Sequence, residues 1–158
     1  MPNYKRIMAV VDLSAASTPI IQHTLQLARQ HQAQPFVLSI IDYIPGVEDD
    51  QVPFLTPRQF REKTLQLQTE RLNQLLARLG AINMEPWIIA SNSLTEAFLQ
   101  AINGWKPHLV VVGSQGSYRL PERVLPQWVA HDPPFDWLTL QIQPTSGWLR
   151  PFWKQRTV

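Results

Sequence analysis

The chain contains no cysteine among its 158 residues. That excludes disulfide bridges, thiolate nucleophiles and cysteine-ligated zinc together. Charged residues are sparse at 16%, and the formal net charge is only +2. No field of one sign therefore pulls the molecule toward nucleic acid or a membrane surface. Glycine is also scarce, with 6 residues against 14 prolines. No apolar run approaches the roughly 20 residues of a membrane span. The opening segment Met1–Arg6 leads into an apolar run too short and too polar for a signal-peptide core. The expectation is a cytoplasmic protein with no membrane span and no nucleic-acid partner.

What is present is periodic. Apolar residues make up 44% of the chain, enough for one core at this length. Residues 1–142 read as one domain and 143–158 as a basic, aromatic tail. Ile7–Val11, Phe36–Ile41, Trp87–Ala90 and Leu109–Val112 are short apolar runs of the kind that form parallel strands buried on both faces. Between them lie helical patterns. Ser17–His31 carries Ile20, Ile21, Leu25, Leu27 and Ala28 on one face, with Pro19 in its first turn. Leu13–Ser17 supplies residues suited to capping it. Thr56-Pro57 opens a long helix ending at Gly80, striped by Phe60, Leu65, Leu72, Leu75, Leu76 and Leu79. Ser93-Leu94-Thr95-Glu96 has capping-box spacing for a helix to Gly104. A further helix is expected around Glu122–Val129. The segment Phe135–Ile142 alternates polar and apolar residues, which suits an edge strand or a subunit contact.

Strands alternating with helices predict an α/β fold: a five-stranded, mainly parallel sheet with helices on both faces and right-handed crossovers. Such sheets bind ligands at the carboxyl ends of their strands, near a topological switch point. Those ends carry Asp12, Asp42 and the turn Gly113-Ser114-Gln115-Gly116.

The run Tyr4-Lys5-Arg6-Ile7-Met8-Ala9-Val10-Val11-Asp12-Leu13-Ser14 resembles the first strand of universal stress proteins. Val37–Asp42 resembles their second strand, and Leu109–Gly116 their fourth with its glycine turn. The likeness in element order runs from about residue 4 to residue 142. It implies the Rossmann-like fold of the adenine nucleotide alpha hydrolase type and a stress-response or regulatory role. It also implies a homodimer formed through Phe135–Ile142. The family's nucleotide pocket would fall on Val11, Asp12, Ile40, Val112, Gly113 and Gly116, with AMP or ATP as the ligand.

Family members that bind ATP share a pattern of G-x-x-G, nine residues, then Gly and Ser or Thr. Gly113 and Gly116 match its first half, but Pro126 and Gln127 stand where the second half belongs. Proline has no N–H to offer a phosphate. Gln127 is bulkier than a serine, and Glu122 adds negative charge nearby. The resemblance therefore implies weak or absent ATP binding and no required cofactor. The alternative is an adenine-nucleotide sensor that keeps the adenosine half of the pocket.

Each signal also has a plainer reading. Asp12 can cap the loop and first helix, and Gly113 and Gly116 can be ordinary turn glycines. Gly113-Ser114 is not a nucleophile elbow, because Val112 occupies the place of the required glycine. No glycine-rich turn follows the first strand and no Walker loop is present. His23, His31, His108 and His131 lack paired metal spacing, and Glu48-Asp49-Asp50 reads as a solvated loop. No catalytic constellation is legible, so an enzyme, such as a nucleotide hydrolase, is the weakest reading. The tail mixes Trp148, Phe152 and Trp153 with Arg150, Lys154 and Arg156. Such a mix can serve a membrane surface, a nucleic acid or a partner protein; the expectation is a tail that folds back on its own domain or its dimer mate.

Overall fold

The computed structural model describes residues 3–13, 15–42, 57–91, 93–113 and 135–141. Their order is β1 (Arg6–Val11), α1 (Ser17–His31), β2 (Gln34–Asp42), α2 (Pro57–Arg78), β3 (Glu85–Ser91), α3 (Leu94–Trp105), β4 (Leu109–Gly113) and β5 (Asp136–Leu140). The helix expected around Glu122–Val129, the loop Tyr43–Thr56 and the tail 143–158 lie outside the described residues.

All five strands form one parallel sheet in the order β3-β2-β1-β4-β5. The chain winds outward from β1 through β2 to β3, then returns to β4 on the other side of β1. The switch point is therefore the β1–β4 seam.

Period-two alternation divides the core between the two faces. Ile7, Ala9, Val11, Val37, Leu109 and Val111 point to one side, where they meet Ile20 and Ile21 of α1 and Leu72, Leu75 and Leu76 of α2. Met8, Val10, Phe36, Leu38, Ile40, Val110 and Val112 point to the other, against Ala97, Phe98, Ala101 and Ile102 of α3. Continuous apolar runs in β1, β2 and β4 follow from burial on both faces. Among the described residues no helix is long and apolar enough to cross a membrane.

Three details depart from expectation. The apolar run places the second strand from Phe36, yet Pro35, which breaks the helical pattern before it, lies within β2, opposite Ile7. The N–H of Gln34 bonds to the carbonyl of Lys5 at 2.8 Å. In a parallel strand the next residue addresses the opposite neighbour. The first β3 pair is Phe36 with Glu85, so the N–H that Pro35 lacks would have had no partner there. Secondly, α1 is not capped by a hydroxyl: its N-cap is Ala16, with no side-chain bond. Ser17 is helical and its Oγ is buried without a hydrogen-bond partner. Thirdly, the capping box of α3 is half made. Ser93 Oγ accepts from the Glu96 N–H at 3.2 Å, but the Ser93 N–H is satisfied by Ser91 Oγ at 3.1 Å rather than by Glu96.

Other features agree with the sequence. Gly80, at φ +69°, takes the left-handed position just past α2. The β5 strand is an edge strand, with Asp136 and Thr139 exposed and Leu138 and Leu140 half-buried.

Candidate functional site

Register brings the expected site residues to one edge of the sheet. Val11 of β1 stands opposite Ser39 of β2, so Asp12 is level with Ile40. On the other side Ala9 stands opposite Val111, so Val11 and Gly113 end their strands at the same height. Asp12, Ile40 and Gly113 thus lie on three adjacent strands, within one residue of a common level.

The seam between β1 and β4 has a distinctive end. Its ladder runs from Ile7↔Leu109 to Ala9↔Val111, while both strands continue two residues further. The β1–β2 ladder, by contrast, runs to the last residue of β1. The carboxyl end of the switch point is where the sheet pairing stops early, and there a crevice forms in open α/β sheets.

The side chains are disposed unequally about this crevice. Val11 is buried on the face of α1 and α2. Ile40 and Val112 are buried on the face of α3, packed in one cluster with Phe98. Ile40 is 0% exposed, so it belongs to the core beneath this edge and offers no open surface. Asp12 is half-buried just past β1, and Gly113 is buried as the last residue of β4. Gly116, Pro126 and Gln127 lie outside the described residues.

One feature of this edge has no signal in hydrophobic periodicity. Leu13, directly after Asp12, has φ +62°. A left-handed leucine costs roughly 1–2 kcal/mol and is held there only when the surroundings demand it. It turns the chain sharply off β1, so that α1 begins close behind Asp12. A residue able to adopt this angle cheaply, such as glycine or asparagine, would have marked the turn in the sequence; leucine conceals it.

His108 and His31 take structural places. Nδ1 of His108 accepts the backbone N–H groups of Lys5 at 3.1 Å and Arg6 at 3.2 Å. The His31 ring lies 5.0 Å from that of Tyr4. Among the described residues no group of three His, Cys, Asp or Glu could hold a metal ion.

Comparison with known proteins agrees with this architecture. The profile of the Universal stress protein family matches residues 3–130. No curated protein sequence matches the chain. A universal stress protein from Lactobacillus plantarum is 19% identical, with a TM-score of 0.57, covering 89% of this chain and 100% of that one. The universal stress protein from Archaeoglobus fulgidus in complex with dAMP is 12% identical, with a TM-score of 0.55, covering 89% and 100%. A universal stress protein family protein from Arabidopsis thaliana with AMP bound is 18% identical, with a TM-score of 0.52, covering 90% and 94%. With the family profile spanning β1 through β4 and the sheet wound in the order β3-β2-β1-β4-β5, the chain belongs to the universal stress protein family.

Proposed function

We propose that the protein is a dimeric, regulatory universal stress protein that binds ATP weakly or not at all and does not turn it over. The observation that carries this reading is the β1–β4 seam. Its pairing stops at Ala9↔Val111, and Asp12 and Gly113 stand beside that end, with Ile40 in the core beneath. That arrangement suits the adenosine end of a nucleotide: a carboxylate for ribose hydroxyls, and a glycine where a flat or bulky group must approach backbone. The phosphate end is where the chemistry fails. Pro126 and Gln127 replace the glycine and hydroxyl residue that would donate to phosphate oxygens. A cytoplasmic location accompanies this reading.

Calorimetric titration with ATP and AMP tests the proposal. ATP is expected to bind no better than AMP, and micromolar ATP binding would overturn it.

The second reading is an adenine-nucleotide sensor, favoured by the solved relatives that contain AMP or dAMP. It requires a thermal shift with AMP that Asp12→Ala abolishes, and AMP in the mass spectrum of freshly purified protein. An empty protein with no shift removes it.

Dimerisation is assigned to Phe135–Ile142. Within it, β5 is the sheet edge, and Trp137, Leu138 and Leu140 are half-buried there. A lysine at the exposed Thr139 places like charges at such a paired edge. Thr139→Lys should shift the light-scattering mass from dimer toward monomer; an unchanged dimer would move the interface elsewhere. A role of the tail 143–158 in partner binding stays part of the proposal.

A further inference from the structure

A further candidate site adjoins the β1–α1 loop. A cavity of about 290 Å³ lies between that loop and α2. Leu13, Ala15 and Thr18 line one wall; Arg71, Gln74, Leu75 and Arg78 line the other. The α2 residues fall at i, i+3, i+4 and i+7, so they share one helix face. Leu75 is buried and forms the floor. The two arginines stand two turns apart, about 10.5 Å along the helix axis, and both are exposed at the cavity mouth.

Charge at this place is unanswered. Elsewhere on α2, Arg58 pairs with Glu62 at 3.2 Å, and Nη2 of Arg61 reaches the Ala90 carbonyl at 3.5 Å. Arg71 and Arg78 have no ion pair or hydrogen bond among the described residues, and the described lining contains no carboxylate. Thr18, in the first turn of α1, brings a hydroxyl to the opposite wall. Guanidinium forks bind phosphate oxygens in a bidentate manner.

We propose that the cavity formed by Thr18, Arg71, Gln74 and Arg78 is a binding site for a small phosphoanion, separate from the β1–β4 crevice. Their long, flexible stems let the two guanidiniums converge from these backbone positions on one ligand with two anionic centres, such as a pyrophosphate group. Gln74 lies between them and donates or accepts at the ligand's middle, and the Thr18 hydroxyl closes the far side. The leucines below exclude water from one face only, so the ligand exchanges freely.

Inorganic pyrophosphate titrated calorimetrically into the full-length protein at low ionic strength tests the site. Saturable binding is expected. Arg71→Gln and Arg78→Gln should each weaken it, and together by at least about tenfold. Arg58→Gln, on the same helix but away from the cavity, should leave it unchanged. Both cavity arginines are exposed, so melting curves of these variants should match the parent and separate lost binding from lost folding. Succinate should bind more weakly than pyrophosphate. Adenosine, which carries no phosphate, should not displace pyrophosphate. The proposal is overturned by an absence of saturable binding, by a double variant that binds like the parent, or by an equal loss in Arg58→Gln. It is also overturned if succinate binds equally well. Displacement by adenosine would place the anion in the crevice and overturn it too, and the ATP and AMP titrations report on that crevice independently.

Discussion

The two ends of the sheet are built differently. At the amino end, long-range hydrogen bonds lace neighbouring strands together. The Tyr4 hydroxyl donates to Oδ2 of Asp136 at 2.8 Å, and Nε of Arg6 donates to the Lys106 carbonyl at 2.8 Å. His108 takes the backbone of Lys5 and Arg6 on its ring, and gives its own N–H to the Arg6 carbonyl at 2.9 Å. Asp136 N–H donates to the His108 carbonyl at 2.9 Å. At the carboxyl end the β1–β4 ladder stops short and Leu13 is left-handed, and among the described residues Ser17 Oγ has no partner and Arg71 and Arg78 have no ion pair. The amino end spends its polar groups on holding the fold. The carboxyl end keeps some of its own in reserve, and a ligand can be recognised there at the expense of some stability.

The largest expected effect is at the amino end. His108→Ala removes the acceptor for two backbone N–H groups at once. The Arg6 donor is part-buried and the Lys5 donor exposed, so the loss is about 1–2 kcal/mol, a melting-point fall of very roughly 2–8 °C at this chain length. Nucleotide and pyrophosphate titrations should be unchanged. If His108→Ala altered ligand binding while leaving the melting point in place, the division of labour between the two ends would be wrong.

The sequence made the centre of the sheet legible and its ends less so. Strands β1, β2 and β4 are apolar on both faces, so their runs stand out without any knowledge of neighbours. The edge strand β5 was recognisable because Asp136 and Thr139 interrupt its leucines. Sheet edge residues Asp12 and Gly113 could be named from strand-end position and family likeness, because a parallel sheet puts all carboxyl ends together. Pro35 misled because its missing N–H matters only if a neighbour waits for it, and β3 begins one residue later. His108 could not be read at all. Its partners, Lys5 and Arg6, are about a hundred residues away, and no local pattern encodes a contact made by topology. The arginines of the cavity were hidden by the leucine stripe of α2: Arg71 and Arg78 flank buried Leu72, Leu75 and Leu76 and look like ordinary solvated charges until the β1–α1 loop is placed opposite them.

A smaller effect of opposite sign is expected at the carboxyl end. Ser17 is 0% exposed and its hydroxyl has no partner among the described residues. A buried polar group left unsatisfied costs roughly 1–3 kcal/mol, and alanine is the better helix residue. Ser17→Ala should therefore raise stability, by about 1 kcal/mol once the small lost volume is offset. Denaturant unfolding gives the answer directly. A destabilised Ser17→Ala would mean that the hydroxyl is satisfied after all, and the carboxyl end would lose one of its uncommitted groups.

The smallest effect is a pH signature of the lacing at the amino end. The hydrogen bond to Asp136 raises the Tyr4 phenol above its ordinary 10.0, helped by partial burial and by the nearby negative charge of the same carboxylate. A raised folded-state value means that folding favours the protonated phenol. Its contribution is complete below the unfolded value of 10.0 and is lost as pH rises through the folded value. Tyr4 is partly exposed, so the bond is worth less than about 1 kcal/mol in water. Tyr4→Phe should accordingly be slightly less stable than the parent by a constant margin from about pH 7 to pH 9, and the margin should close above about pH 10. A margin that persisted in alkali would show that Tyr4 contributes through its ring against His31 and not through its hydroxyl, and β5 would then be held by its ladder to β4 and by the packing of Phe135, Trp137, Leu138 and Leu140.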